Sequence, residues 1–380
     1  MLGVASCGRG TYTQSDSATG EVSVMANPSP PEVSSSAASP RAAPTPAMAR
    51  VLDELASLGG KPIETLTPEE ARRQPTPTDA VTAVLTKEGR STDPTDLVPG
   101  VASADRTIPG AAGQIPARVY TPAGAGPFPV IVYYHGGGFV IANKDVYDGG
   151  ARGLSKLANA VVISIDYRLA PEHKFPAAHD DALAAYRWTL ANAASINGDP
   201  TRVALAGESA GGNLALATAI AARDQQLQAP MHILAVYPVA ATDTTTPSYI
   251  ENANAKPLNR AMMGWFVKHA TASAQDLKDP RLDLINANLA GLPPVTIVAA
   301  EIDPLRSEGE TLMERLRAAG VDVSRRQWNG MAHEFFGMAA VLDAAKEAQK
   351  YAADRLRGSL SGASAAGKGA PAGPGSIPTR

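Results

Sequence analysis

Three side chains in this sequence could work together on a carbonyl carbon. Ser209 lies in Gly207-Glu208-Ser209-Ala210-Gly211, between the apolar, uncharged run Val203–Ala206 and the helix-forming run Leu214–Ile220. Strand, Gly-x-Ser-x-Gly and helix form the context of a nucleophile elbow, in which the serine sits at a tight turn with its hydroxyl pushed out at the positive end of a helix dipole. A bare serine hydroxyl is a weak nucleophile, so it needs a base, and the base needs an orienting acid. In an elbow of this kind both follow the serine in the chain. Of the six histidines, three follow it. His232 falls inside an apolar strand and His269 late in a helical run. His333 falls in the Gly-bounded loop Gly330–Gly337, between the last strand and the last helix, where sites of open α/β sheets gather. His333 is therefore the candidate base. Asp303 directly follows the strand Pro294–Ala300 and is stiffened by Pro304, which makes it the candidate acid. Glu301 is a rival, and Asp276, Asp279 and Asp283 are weaker ones in a polar loop. As a structural element alone, Asp303 reads as a helix N-cap.

Attack on a carbonyl also needs donors for the oxyanion. The run His135-Gly136-Gly137-Gly138 follows the strand Pro129–Tyr134 and offers N–H groups with no side chains in the way, and Ala210 N–H is a further donor.

Positioning these groups takes a βαβα chain. The expected strands are 105–109 and 115–121 (an antiparallel pair), 129–134, 160–165, 203–206, 231–239, 294–300 and 321–328. Helices are expected over 150–159, 180–192, 307–319 and 338–357. The fold class is α/β, a mostly parallel sheet with helices on both faces. Ala47–Gly59 reads as a short amphipathic helix, and Thr67-Pro68-Glu69-Glu70 as a helix start with Thr67 as N-cap. Residues 1–46, rich in Ser, Pro and Ala, and residues 359–380 read as disordered tails around one domain spanning 47–358.

The net charge of −3 gives no reason to expect nucleic acid or an anionic membrane as partner, and no apolar run reaches the ~20 residues of a membrane span. The single cysteine, Cys7, excludes an intrachain disulfide and a cysteine-ligated metal site. Val4-Ala5-Ser6-Cys7 is similar to a lipoprotein cleavage site but lacks a preceding apolar stretch. As written the chain reads as cytoplasmic; with an upstream start it becomes an exported lipoprotein lipidated at Cys7.

His135–Gly138, Asp166-Tyr167-Arg168-Leu169-Ala170-Pro171-Glu172, Gly207–Gly211, Asp303-Pro304-Leu305 and His333 together resemble the hormone-sensitive-lipase-like (family IV) bacterial carboxylesterases, over roughly residues 100–355. The resemblance implies an α/β-hydrolase fold with a helical cap from about 47–95 and 243–275. It implies a triad of Ser209, Asp303 and His333, and an oxyanion hole of Gly137, Gly138 and Ala210. The activity implied is hydrolysis of short- to medium-chain acyl esters of small molecules, without cofactor or metal; a homodimer through the last strand and helix is expected by analogy. An amidase or arylformamidase would use the same triad, and a non-catalytic ligand-binding protein of this fold should have lost its base. Glu208 stands where the family more often has Asp, and Glu334 where it has Gly. Asp166 and Arg168 read as a buried pair bracing their loop. Phe139, Met262, Met263, Trp265 and Phe266 are candidate pocket walls, although a Met and aromatic stripe at helical spacing is more often ordinary core.

Overall fold

A computed structural model describes residues 42–361, which belong to one folded unit. Cys7 and most of both expected tails lie outside the described residues. Eight strands make a single sheet: β1 (Val101–Gly110), β2 (Gly113–Pro122), β3 (Phe128–Tyr134), β4 (Val161–Ile165), β5 (Gly198–Glu208), β6 (Ile233–Val236), β7 (Val295–Ile302) and β8 (Val323–Ala332). Their spatial order is β1-β2-β4-β3-β5-β6-β7-β8. The β1/β2 and β2/β4 ladders are antiparallel, and all pairings from β4 to β8 are parallel.

Parallel strands covered on both faces need apolar residues on both faces, and these strands supply them. Val203 and Leu205 of β5 enter one apolar core while Ala204 and Ala206 enter the other, all fully buried. In β3, Val130, Val132 and Tyr134 face the first core, and Ile131 and Tyr133 the second. The helix Ala210–Asp224 packs its small residues into the first core; Asp148–Ala158 and Asp343–Leu360 cover the second.

The boundaries move in places for identifiable reasons. The first helix runs Pro46–Ser57 with Thr45 as N-cap, and the Thr45 N–H donates to the Gly330 carbonyl on β8 at 3.1 Å, so order begins before residue 47. At the other end, the last helix continues through Ser359 to the buried Leu360, beyond the expected limit of 358. It also starts later than expected, because Phe335–Met338 form a separate 3₁₀ turn. Thr67 does cap Pro68–Ala71, through a reciprocal capping box with Glu70. Within the segment 47–95, the helices Pro46–Ser57 and Pro77–Lys87 bury Met48, Val51, Ala80 and Leu85 in the second core. It is the stretch from Ile63 to Arg72 that meets the later helix Arg260–Ala270: Trp265 Nε1–H donates to the Leu66 carbonyl at 2.9 Å. No helix among the described residues is long and apolar enough to cross a membrane.

Candidate active site

Strand β5 ends at Glu208, the helix Ala210–Asp224 begins one residue later, and Ser209 takes the turn between them at φ 56° and ψ −117°. That region costs a non-glycine residue on the order of 1–3 kcal/mol and persists only where the surroundings over-determine it. Here they do: the Ser209 N–H donates to the Val236 carbonyl at 2.9 Å, and the Ser209 carbonyl accepts from Val239 N–H at 3.1 Å and Asn213 N–H at 3.2 Å. The flanking glycines follow from close approach. A Cβ on Gly207 would run into the Gly211 carbonyl, and one on Gly211 into the Tyr134 carbonyl of β3.

Two strands from β5, β7 ends at Ile302 and delivers Asp303, and one strand further β8 ends at Ala332 and delivers His333. Their side chains meet: His333 Nδ1 and Asp303 Oδ2 are 2.8 Å apart, and both residues are buried. Asp303 is fixed in turn, with Oδ1 accepting the Leu305 N–H at 2.8 Å and its carbonyl accepting Asn252 Nδ2–H at 3.3 Å. With Nδ1–H donating to Asp303, His333 keeps Nε2 as its acceptor. The other candidates are engaged elsewhere. His232 bonds Ser359 Oγ and Thr296 Oγ1, at 2.9 Å each. His269 packs tilted against the Trp265 ring, with centroids 4.5 Å apart. Glu301 accepts the Gly330 N–H, Asp276 caps a turn at Ala272 and Ser273, Asp279 pairs with Arg281, and Asp283 holds Asn286.

The glycine run after β3 is shaped by what presses on it. Gly137 and Gly138 have φ of 96° and 58°. A Cβ on Gly137 would strike the Ile141 carbonyl, and one on Gly138 would strike the Phe266 ring. Among the described residues, the N–H groups of Gly137, Gly138 and Ala210 have no protein acceptor. The loop is braced from behind: Tyr167 stacks on His135 at 4.3 Å and donates its hydroxyl to the His135 carbonyl at 2.8 Å. Arg72 reaches in from the N-terminal segment and donates to the Val140 and Ala170 carbonyls at 2.9 and 2.7 Å, while pairing with Glu172.

The expected Asp166–Arg168 pair does not form. Alternate residues around Tyr167 diverge: Arg168 makes a two-pronged pair with buried Asp181, at 2.7 and 3.0 Å. Asp166 instead accepts the Lys144 N–H at 2.6 Å and lies near the Lys144 ammonium.

Of the candidate pocket walls, Phe139, Met263 and Phe266 line an apolar cleft beside Gly138, together with Val239, Tyr249 and Leu282. Met262 and Trp265 are not among its lining residues; Trp265 is spent on Leu66 and His269.

Sequence reasoning missed the tyrosines around His333. Buried Glu208 receives hydroxyl hydrogen bonds from Tyr133 and Tyr237, and Tyr237 packs against the His333 ring at 4.4 Å. Tyr147 donates to Glu334 Oε1 at 2.6 Å. The alternation of β3 sends Tyr133 to the face opposite Tyr134, and the β3/β5 pairing brings it to Glu208; that pairing is the signal that would have found it. Burial, with the Glu334 charge added, pushes Glu208 up to about 8, against the opposing tyrosine hydrogen bonds. Burial also raises Glu334, opposed by His333 and Tyr147. For His333, burial favours the neutral ring, but the charge and hydrogen bond of Asp303, with Glu334 and Glu208, outweigh it and raise the pKa above the usual imidazole value.

Residues 131–337 match a family described as having the α/β-hydrolase fold. The carboxylesterase NlhH of Mycobacterium tuberculosis is 43% identical over 262 residues, 67% of this chain and 82% of its own length. An ethyl acetate hydrolase of Pseudomonas putida is 32% identical, over 75% of this chain and 88% of its own length. The solved hyperthermophilic esterase of Pyrobaculum calidifontis superposes with a TM-score of 0.75 at 35% identity, over 83% of this chain and 98% of that one.

Proposed function

The chain belongs to the α/β-hydrolase family of hormone-sensitive-lipase-like carboxylesterases, and from that premise we propose that Ser209, Asp303 and His333 are the residues that hydrolyse its ester. The protein is a carboxylic ester hydrolase acting on small-molecule esters. The observation that carries the assignment is the buried 2.8 Å hydrogen bond between Asp303 and His333, at the strand ends beside the strained Ser209 turn.

In this reading His333 Nε2 takes the Ser209 proton as Oγ attacks the ester carbonyl. Asp303 holds the ring in the tautomer that leaves Nε2 free and stabilises the imidazolium that results. The carbonyl oxygen turns anionic between the Gly137, Gly138 and Ala210 amides, each worth ~3 kcal/mol to the transition state. His333 then protonates the departing alcohol, and water repeats the sequence on the acyl-enzyme. The cleft floored by Gly138 and walled by Phe139, Met263 and Phe266 takes the acyl chain, short to medium in length, and the cap comprises the Ile63–Arg72 stretch with residues 243–275. For assembly we propose a homodimer through β8, which ends the sheet order; light scattering gives the mass.

The test is hydrolysis of p-nitrophenyl esters of increasing acyl length, with Ser209→Ala alongside. The variant should lose ~10⁶-fold in kcat. Turnover undiminished in the variant would remove Ser209 from the nucleophile's role.

A further inference from the structure

Glu334 sits badly for its residue type. It is not glycine, yet its backbone lies in the left-handed region at φ 72° and ψ −1°, and its carboxylate is largely buried. Glycine would adopt this conformation without strain. The acid is nevertheless there, and its side chain is aimed. Oε1 lies 3.9 Å from His333 Nε2, on the side of the ring away from Asp303, and the Tyr147 hydroxyl pins the same oxygen at 2.6 Å. Tyr147 in turn is seated against the glycine run, where a Cβ on Gly136 would collide with its hydroxyl. The Tyr147–Glu334 pair therefore spans from the oxyanion loop to the nitrogen that accepts the proton.

Two acceptors 3.9 Å apart are too far for a direct bond and are spaced for one water to donate a hydrogen to each. A water held this way has both hydrogens engaged and a lone pair turned outward. We propose that Glu334, held by Tyr147, is a positioning residue for the hydrolytic water, and that it acts on deacylation rather than on acylation. The proposal rests on the triad assigned above. In the step it assists, the water oxygen bonds to the acyl carbon as its proton passes to His333 Nε2. The C=O electron pair moves onto the oxygen held by the backbone amides. When that pair returns, the bond to Ser209 Oγ breaks and Oγ recovers its proton from His333. Acylation has no such water, since Ser209 is then the group donating to Nε2. The charges and titrating groups facing His333 are Asp303, Glu334 and Glu208, with the Tyr237 ring against it.

Rapid-mixing kinetics with p-nitrophenyl acetate on Glu334→Gln and Glu334→Gly separate the half-reactions. Glu334→Gln keeps the side-chain shape, and Glu334→Gly relieves the backbone, so the pair guards against misfolding of either one. The expected result is a rapid burst of about one nitrophenolate per active site, followed by steady turnover reduced roughly tenfold in the glycine variant and less in the glutamine variant. In the variants kcat should also become the same for p-nitrophenyl and phenyl acetate. Turnover equal to wild type would overturn the proposal. Turnover lost without a burst would overturn it too, because acylation would then be impaired as well. Failure of the triad assignment reads out separately, as a burst that survives Ser209→Ala.

Discussion

The floor of the site and the helical segments over it are built by different means. The floor hangs on backbone: Ser209 is locked by three main-chain hydrogen bonds and two glycine contacts, and Asp303 and His333 leave adjacent strands β7 and β8 already in register. The proposed cap is held largely by side chains reaching long distances through the sequence, Arg72 to the Val140 and Ala170 carbonyls and Trp265 to the Leu66 carbonyl, with a main-chain bond from Phe175 N–H to the Ala270 carbonyl. Main-chain ladders tolerate almost no displacement, whereas a side-chain tether can be replaced with local consequences. The Ser209 turn is thus held without the cap segments, which reach the site at the glycine run, where Arg72 holds the Val140 carbonyl and Phe266 presses on Gly138.

That contrast can be broken by measurement. The largest effect belongs to the floor. Asp303→Asn keeps the shape but frees the imidazole tautomer, and kcat should fall ~10⁴-fold with KM little changed; a fall of tenfold or less would show that the acid acts elsewhere. Next comes pH. Only neutral His333 can accept the serine proton, and its pKa is raised, so log kcat/KM should fall with unit slope as pH drops, with a midpoint above the ~6.5 of free imidazole. A midpoint at or below that value would mean the surrounding carboxylates do not govern His333. The smallest effect belongs to the cap. Phe266→Ala opens the cleft wall beside Gly138 and should shift the preferred p-nitrophenyl ester to longer acyl chains, by roughly tenfold in relative kcat/KM. An equal loss for every chain length would instead tie Phe266 to the floor, through its contact with the oxyanion loop.

The same division explains what the sequence made legible. The central strand runs were readable because burial on both faces demands unbroken apolar residues; Asp303 was readable because it follows such a strand, and His333 because it lies in the Gly-bounded loop between the last strand and the last helix. Contacts between side chains far apart in the chain were not. Tyr133 and Glu208 are 75 positions apart and meet because β3 pairs with β5. Arg168 chooses Asp181, 13 residues on, over Asp166, because the intervening Tyr167 turns to stack on His135. Trp265 looked like a pocket wall because helical spacing gives a stripe without saying which neighbour covers it; the Leu66 carbonyl does. Leu360 looked like tail because its neighbours are small and polar, yet one buried leucine suffices to extend the last helix.

Glu208 makes the proton a ligand of the folded state. Its folded pKa of about 8 lies above the ordinary 4.5, so the native protein holds a proton that the unfolded chain releases. The stabilisation is fully present below the unfolded value and is lost as pH rises through 8, by up to about 1.4 kcal/mol per pH unit in between. Urea unfolding at pH 6 and pH 9 would show the loss, and Glu208→Gln should flatten it. As the proposed base, His333 requires alkalinity, and the buried acid beside Ser209 resists it. The enzyme's working range is therefore bounded from below by catalysis and from above by folding, and the two limits are set by neighbouring residues of one site.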